Sequence, residues 1–131
     1  MKRSPRVGET GEIRFHVGDQ QTIGFDGMPA VLSTPALVWC LEHAARNALH
    51  EALESDESSV GVHVDLEHLA ATPIGMEVVC TARVIHCDGS LISFQLLAHD
   101  ARELIARGVH KRRVIRVDRF AARVHKKADG Q

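Results

Sequence analysis

Apolar and polar residues alternate with a period of two in five stretches of the chain, a pattern typical of half-buried β-strands. The predicted strands are Glu12–Val17, Val60–Glu67, Met76–Cys87, Leu91–His99 and Leu104–Val117. Asp88-Gly89, between the third and the fourth, is a residue pair that favours a tight hairpin turn. The alternation slips once within the last stretch, which predicts a β-bulge there.

One longer segment, from Ser33 to about Leu53, has the periodicity of an amphipathic helix. Ser33-Thr34-Pro35 is a helix-start signal, because a hydroxyl residue caps the helix and a proline occupies its first turn. The apolar stripe is rich in alanine and consists of Leu37, Leu41, Ala44, Ala45, Ala48 and Ala52. The order of elements predicts an α+β fold in which an antiparallel sheet of about five strands wraps around one long helix. One edge of this sheet stays free to pair with a second copy.

The length of 131 residues predicts one domain spanning 1–131, without a linker or an internal repeat. The polar ends, residues 1–8 and 126–131, are expected to be frayed. Apolar residues make up 44% of the chain, which is enough for a packed core and too many for a disordered protein.

The charge balance argues against a nucleic-acid partner, and the absence of a long apolar run argues against a membrane span. Sixteen basic and seventeen acidic side chains give a formal net charge of −1, whereas nucleic-acid binding usually needs a strong basic excess. No apolar run approaches the ~20 residues of a membrane span, and the start of the chain lacks a signal-peptide apolar region. The three cysteines are odd in number and form no C-x-x-C pair, so we expect a reduced, cytoplasmic protein without disulfides.

His68 and Glu42 are candidates for chemistry from their positions, whereas the position of Thr34 is that of a helix cap. His68 is in phase with Val60 and Leu66 on the predicted inner strand face, where desolvation can bring an imidazole pKa to the value that a general base requires. Glu42 borders the apolar stripe of the helix, where a carboxylate needs a partner. Each has a simpler explanation: a strand-end histidine bonded to backbone, a solvated rim glutamate and, for Thr34, a helix cap.

Several motifs, taken together and in order, resemble the fluoroacetyl-CoA thioesterase type of the hotdog-fold acyl-CoA thioesterases. The most specific are the H-x-A-A-T-P run from His68 to Pro73 and the H-x-R-x-V-I run from His110 to Ile115. Other matching stretches are Ser33-Thr34, Leu41-Glu42, Val60-Gly61, Gly75, Ala98-His99-Asp100, Gly108 and Phe120. The likeness extends from about Val7 to Val124.

The resemblance implies the hotdog fold, a homodimer and hydrolysis of an acyl-CoA thioester. It implies a catalytic trio of Thr34, Glu42 and His68, with Gly61 as a backbone donor to the thioester oxygen and Arg112 as an active-site or CoA-side residue. The fluoroacetyl-specific member of the family has an apolar lid of phenylalanines in the loop before the helix. Here the corresponding stretch, Asp26–Leu32, contains none, and Met28 lies near the lid position. The resemblance therefore implies hydrolysis without implying a fluorinated substrate.

The spacing of the trio limits where its members can meet. Thr34 and Glu42 are eight positions apart, roughly 12 Å along an ideal helix, so they cannot form a hydrogen bond with each other. His68 bridges them only if Thr34 lies in the cap and turns inward, or if the site combines residues of two subunits. We favour a site at the dimer interface. His68, oriented by Glu42, then activates either Thr34 or a water molecule.

The sequence predicts hydrolysis of a short-chain acyl-CoA to free acid and CoA, with no cofactor beyond the CoA of the substrate. The alternative is a non-catalytic module that binds acyl-CoA. A dehydratase is disfavoured, because the Asp-x-x-x-x-His pair that it needs is absent from the helix.

His63, Asp65 and Glu67 share a strand face but lie ~7 Å apart at alternate positions, so a solvated surface explains them better than a metal site. Basic residues cluster at Lys111-Arg112-Arg113, Arg116 and Lys126-Lys127. Charges on a long edge strand prevent aggregation, which explains most of this cluster. Only Arg112 and Arg113 are kept as candidates for binding CoA phosphates.

Overall fold

An antiparallel sheet curves around one long helix in the computed structural model, which describes residues 1–130. The predicted end of the domain, Gln131, lies outside the described residues. The strands are β1 (Thr10–His16), β2 (Thr22–Ile23), β3 (Val31–Leu32), β4 (Glu57–His68), β5 (Glu77–Asp88), β6 (Leu91–Asp100) and β7 (Leu104–Arg116). The helices are α1 (Thr34–Leu49) and α2 (Val117–Ala128). The predicted α+β architecture is confirmed.

The five long strands form one sheet in the order β1-β5-β6-β7-β4, with every neighbouring pair antiparallel. The last strand has the predicted bulge: Ala98 pairs with Ala106 and His99 with Leu104, so Ile105 is the extra residue. β4 is an edge strand, because β7 is its neighbour on one side and the sheet ends on the other.

The alanine-rich stripe is buried as predicted, against β1 and β5, but α1 ends at Leu49 instead of Leu53, and Ala52 lies in a 3₁₀ turn after it. Small side chains let the sheet approach the helix closely. Gly11 of β1 marks the closest approach, because a Cβ atom there would overlap the backbone of Ala44 and Ala48.

Replacing Gly11 by alanine is therefore expected to destabilise the protein. The atoms in the way are helix backbone, so overpacking should lower the free energy of unfolding by about 1–3 kcal/mol or more. Urea denaturation measures the change. Gly18→Ala is the matched control, because its Cβ atom would meet nothing closer than 3.8 Å. Equal stability of the two variants would contradict this packing.

Three features of the structure differ from the sequence prediction. The loop at 18–33 contains the short hairpin of β2 and β3, whose two-residue strands are too short to show alternation. The chain after β7 forms α2, where no element was predicted beyond Val117. Val117, Phe120 and Val124 recur there at helical spacing, yet α2 buries no residue.

The third difference lies in β4 and decides which side chains face the helix. The register against β7 shifts between Gly61 and His63, so that Val62 is an extra residue. Val60 consequently pairs with exposed Arg113 on the outer face, where strict alternation had put it inside. Gly61 pairs with buried Arg112 and His68 with buried Ala106. Since directly opposite residues share a face, Gly61 and His68 both lie on the inner face.

Both ends of the chain have partners in the structure. The Met1 amino group lies 2.8 Å from a carboxylate oxygen of Glu57, and the Lys2 N–H donates to the Ala52 carbonyl. At the other end, Lys126 and Lys127 belong to the last turn of α2. The fraying of residues 1–8 and 126–131 stays a prediction.

Candidate active site

Thr34 and His68 form a hydrogen-bonded pair at the start of α1. Thr34 Oγ1 lies 2.8 Å from His68 Nδ1. The helix is capped by Ser33 instead, whose Oγ accepts from the Ala36 N–H. The Thr34 hydroxyl is therefore free of the capping role that offered a simpler explanation for this residue.

The other imidazole nitrogen of His68 lacks a hydrogen-bond partner in the part of the chain that the structure describes. Its Nε2 atom is buried and makes no hydrogen bond to any of residues 1–130. If Nδ1 accepts the Thr34 hydroxyl proton, the neutral ring carries its hydrogen on Nε2, and a buried donor of this kind needs an acceptor. Burial lowers the pKa of His68, which favours the neutral ring that a general base requires.

A cavity of about 350 Å³ opens beside this pair. Apart from Thr34 and His68 it is lined by apolar side chains: Ile23, Val31, Leu32, Leu69, Ala70 and Ala71. The volume lies at the lower end of the range for small-molecule sites, roughly 300–1,000 Å³. The arrangement provides a hydroxyl, a base and an apolar wall for a small acyl group.

Glu42 of α1 belongs to a second group of polar residues, which lies against the other half of β4. Arg112, only 4% exposed, donates Nη1–H to Glu42 Oε2 across 3.2 Å. Gly61 faces the same carboxylate, since a Cβ atom on it would come within 2.7 Å of Glu42 Oε2. Ser59 and His110 complete this group, the Glu42 cluster, through hydrogen bonds to Arg112.

One subunit does not bring the predicted trio together. Gly61 and His68 are seven positions apart on β4, a strand length of roughly 20 Å. No hydrogen bond within the described part of the chain joins the Glu42 cluster to Thr34 or His68. The predicted contact between Glu42 and His68 is therefore absent from the single subunit.

The remaining predicted site residues have distinct positions. Arg112 is buried beside Glu42, which fits the active-site role of the two implied for it, and both roles stay predictions. Arg113 is exposed and donates to Ser90 Oγ. Met28 is exposed in the loop before α1 and does not line the cavity, so its role as a lid stays a prediction. Phe25 is also exposed in that loop.

Sequence reasoning assigned no role to Ser59 or His110. The available signal was the alternation of β7, which places His110 and Arg112 in phase with buried Val114. Two polar residues on a buried face need hydrogen-bond partners, and such pairs mark a network.

A larger cleft of about 600 Å³ lies on the outer face of the sheet. It is lined by apolar residues such as Ile85 and Val109 together with Asp65, Glu67, Arg83 and Arg107. It contains no hydroxyl or thiol nucleophile beside a base, so it is not equipped for nucleophilic attack on a thioester.

None of the described helices is long and apolar enough to cross a membrane.

For the catalytic role that the family resemblance implies for Glu42, replacing Gly61 by alanine is expected to lower kcat about ten- to hundredfold while KM changes little, because small displacements of a catalytic group are costly. The new methyl group would meet the flexible end of Glu42 and push the carboxylate away, while the backbone stays in place. Steady-state kinetics beside the Gly18→Ala control measure the effect. Unchanged kcat would show that the position of Glu42 does not matter.

This sheet-and-helix fold, with a threonine–histidine pair in a small cavity, defines the class of hotdog-fold thioesterases. Within that class the chain belongs to the fluoroacetyl-CoA-specific thioesterase family, whose model matches residues 17–118. A fluoroacetyl-CoA thioesterase of Streptantibioticus cattleyicolor is 34% identical over 135 aligned residues, covering 97% of each chain.

Solved structures agree with this assignment. A crystal structure of a variant of the fluoroacetyl-CoA-specific thioesterase superposes with a TM-score of 0.88 at 34% identity, covering 96% of this chain and 99% of that one. A thioesterase superfamily member of Thermus thermophilus superposes with a TM-score of 0.87 at 24% identity, covering 98% and 99%, and supports the fold alone. The predicted family, fold and enzyme class are confirmed.

Proposed function

We propose that this thioesterase hydrolyses a short-chain acyl-CoA to the free acid and CoA, at two equivalent sites of a homodimer. The observation that carries the proposal is the 2.8 Å hydrogen bond between Thr34 and His68 beside the apolar cavity. The relatives named for fluoroacetyl-CoA support a small acyl group and the CoA thioester. Membership in an enzyme family favours catalysis over the non-catalytic binding module.

The second copy would supply what His68 lacks. Within residues 1–130, His68 Nε2 is buried and makes no hydrogen bond of good geometry, although the Ala70 backbone lies near the ring, and the side chain of Glu42 is 36% exposed with Oε1 unbonded. An unsatisfied buried donor costs about 1–3 kcal/mol, which pairing with a carboxylate would relieve. Each site would then combine Thr34 and His68 of one subunit with Glu42 of the other.

The edge strand β4 offers a way to build that dimer. Val62 and Val64 on this strand are 50% and 40% exposed, although large apolar side chains on a strand usually pack against a partner. Pairing β4 with the same strand of a second copy would bury them and remove the open edge.

Face matching requires the two-fold axis to pass through a residue of β4, and among these axes the one at Asp65 places Gly61 of one copy opposite His68 of the other. With the two-fold axis at Asp65, inner-face residues meet inner-face residues along the ladder. Past the extra residue Val62, Gly61 of one copy then lies opposite His68 of the other, which brings the Glu42 cluster to the imidazole. The two Asp65 side chains meet on the axis, on the solvated outer face.

The chemistry follows from the hydrogen-bond directions. His68 Nδ1 accepts the Thr34 hydroxyl proton while Oγ1 attacks the thioester carbon, and the CoA thiolate leaves with that proton. Water then attacks the acyl-threonine ester with the same histidine as base, and releases the acid. Glu42 orients the imidazole and stabilises its charged form. The backbone N–H of Gly61 of the second subunit is the proposed donor to the developing oxyanion, and the positive end of the α1 dipole stabilises the same charge.

The direct Thr34–His68 bond favours attack by Thr34 over attack by water. A hydroxylamine trap tests this choice, because an acyl-enzyme intermediate would divert its acyl group from the free acid to an acyl hydroxamate.

The three cysteines are free thiols, two of them buried, which supports the proposed cytoplasmic location.

A free-thiol release assay over a panel of acyl-CoAs tests the function. Acetyl-CoA and similarly short acyl-CoAs are expected to turn over faster than long-chain acyl-CoAs, in line with the small acyl group in the names of the relatives. Fluoroacetyl-CoA belongs in the panel beside acetyl-CoA. Binding of these compounds without thiol release from any of them would replace the proposal with the binding module.

A further inference from the structure

The guanidinium of Arg112 is bonded on almost every side. Of its five N–H groups, Nε donates to Ser59 Oγ at 2.8 Å and Nη2 to the Ser59 carbonyl at 2.8 Å. Nη1 has two hydrogens and two neighbours, Glu42 Oε2 at 3.2 Å and His110 Nε2 at 3.3 Å. The plane of the guanidinium is thus fixed by Ser59 and His110, and Glu42 is held by a group that cannot turn.

The hydrogen bonds of His110 fix its tautomer. Its Nδ1 lies 2.7 Å from the carbonyl oxygen of His63, which can only accept, so Nδ1 carries the hydrogen. In the neutral ring Nε2 then has a lone pair and accepts from Arg112. The ring is 0% exposed, and burial lowers its pKa, so the neutral form persists at neutral pH.

We infer that His110 is a positioning residue for catalysis, acting through Arg112 on the carboxylate of Glu42. Its Nε2 lone pair sets the orientation of Nη1, and Nη1 holds Glu42 Oε2, so that Oε1 stays directed outward. The role of Glu42 itself rests on the proposed function; the coupling of His110 to Glu42 through Arg112 is a property of the fold.

Packing alone would not require both nitrogens of this ring. His110 lies beside Phe94, with ring centroids 6.1 Å apart, and any flat side chain of similar size would fill that space. A histidine that only fills the core needs no acceptor aimed at an arginine. The loss of that acceptor is therefore the change that separates positioning from packing.

Two substitutions of His110 separate the nitrogens. Asparagine places an amide nitrogen near the Nδ1 position, which keeps the donor to His63 and removes the acceptor for Arg112. Glutamine places its oxygen near the Nε2 position, which keeps that acceptor and gives up the donor. Both remove the ring, so lost packing is common to the pair.

His110→Asn is expected to lower kcat on acetyl-CoA about ten- to hundredfold with KM nearly unchanged, the effect of one lost hydrogen bond to a charged group. His110→Gln is expected to stay within about threefold of wild type. In a Glu42→Gln background, His110→Asn should cause no further loss, because its effect passes through Glu42. Equal kcat for wild type and the folded asparagine variant would overturn the inference, as would equal losses in both variants.

A measurement without substrate keeps this inference separable from the proposed function. A double-mutant cycle on unfolding stability with His110→Asn and Glu42→Gln should give a non-zero coupling, and additive effects would overturn the inference whatever the activity. If wild type releases no thiol but the coupling is present, the proposed function fails and the positioning network stands. If His110→Asn does not fold, Ser59→Ala serves instead: it removes the Oγ acceptor of Arg112 and should lower kcat in the same direction.

Discussion

Replacing His68 by glutamine is expected to lower kcat on the best short-chain acyl-CoA by about 10²–10⁴-fold, the range for loss of a general acid–base group. Glutamine occupies similar space and keeps a hydrogen-bonding end, but it does not take up the Thr34 proton. KM should change little, because the apolar lining of the cavity is untouched. Steady-state thiol release measures both constants.

The control for this variant is His99→Gln, which changes a histidine on the exposed side of β6. It should behave like wild type. A His68→Gln enzyme with more than a tenth of wild-type kcat would show that the 2.8 Å bond to Thr34 takes no part in catalysis.

Glu42→Gln is expected to lower kcat by about 10²–10³-fold, since a neutral amide does not stabilise the charged imidazole formed in the transition state. The pH dependence should change in a defined direction. His68 works as a base only when neutral, so activity falls as pH falls through its pKa. A carboxylate beside the ring raises that pKa, whereas burial lowers it. Without Glu42 the acidic limb of the kcat profile should therefore move to lower pH, below the ordinary histidine value of about 6.5.

Glu51→Gln is the matched control, because Glu51 is an exposed carboxylate just beyond the end of α1. Its kcat and its acidic limb should coincide with those of wild type. A Glu42→Gln profile with an unshifted acidic limb would mean that Glu42 does not contact His68 in the working enzyme.

The elements that bury a continuous apolar face were predictable from sequence. The alanine stripe of α1 and the alternation of β5, β6 and β7 each have one dominant period, and burial then decides the outcome. The helix α2 was missed because its apolar pattern consists of only a few residues within a polar segment. In the structure α2 buries none of its residues.

Individual candidate residues could be named from the sequence and its family resemblance, but the geometry that relates them could not. The extra residue Val62 reverses the phase of β4, and no local pattern reveals a bulge in a run of valine and glycine. This bulge puts Gly61 on the inner face beside Glu42, and the length of strand between Gly61 and His68 separates both from the imidazole. Ser59 and His110 escaped notice because their importance lies in contacts with Arg112, across strands that are far apart in sequence.

The shared site has one direct test: mixing two inactive variants, His68→Gln and Glu42→Gln, under conditions that let subunits exchange. In a mixed dimer, one site pairs intact Thr34 and His68 of the second variant with intact Glu42 of the first. An equal mixture should therefore recover about a quarter of wild-type activity, because half of the dimers are mixed and each has one working site. Activity that stays at the level of the separate variants, in a mixture shown to contain mixed dimers, would contradict a site built from two subunits.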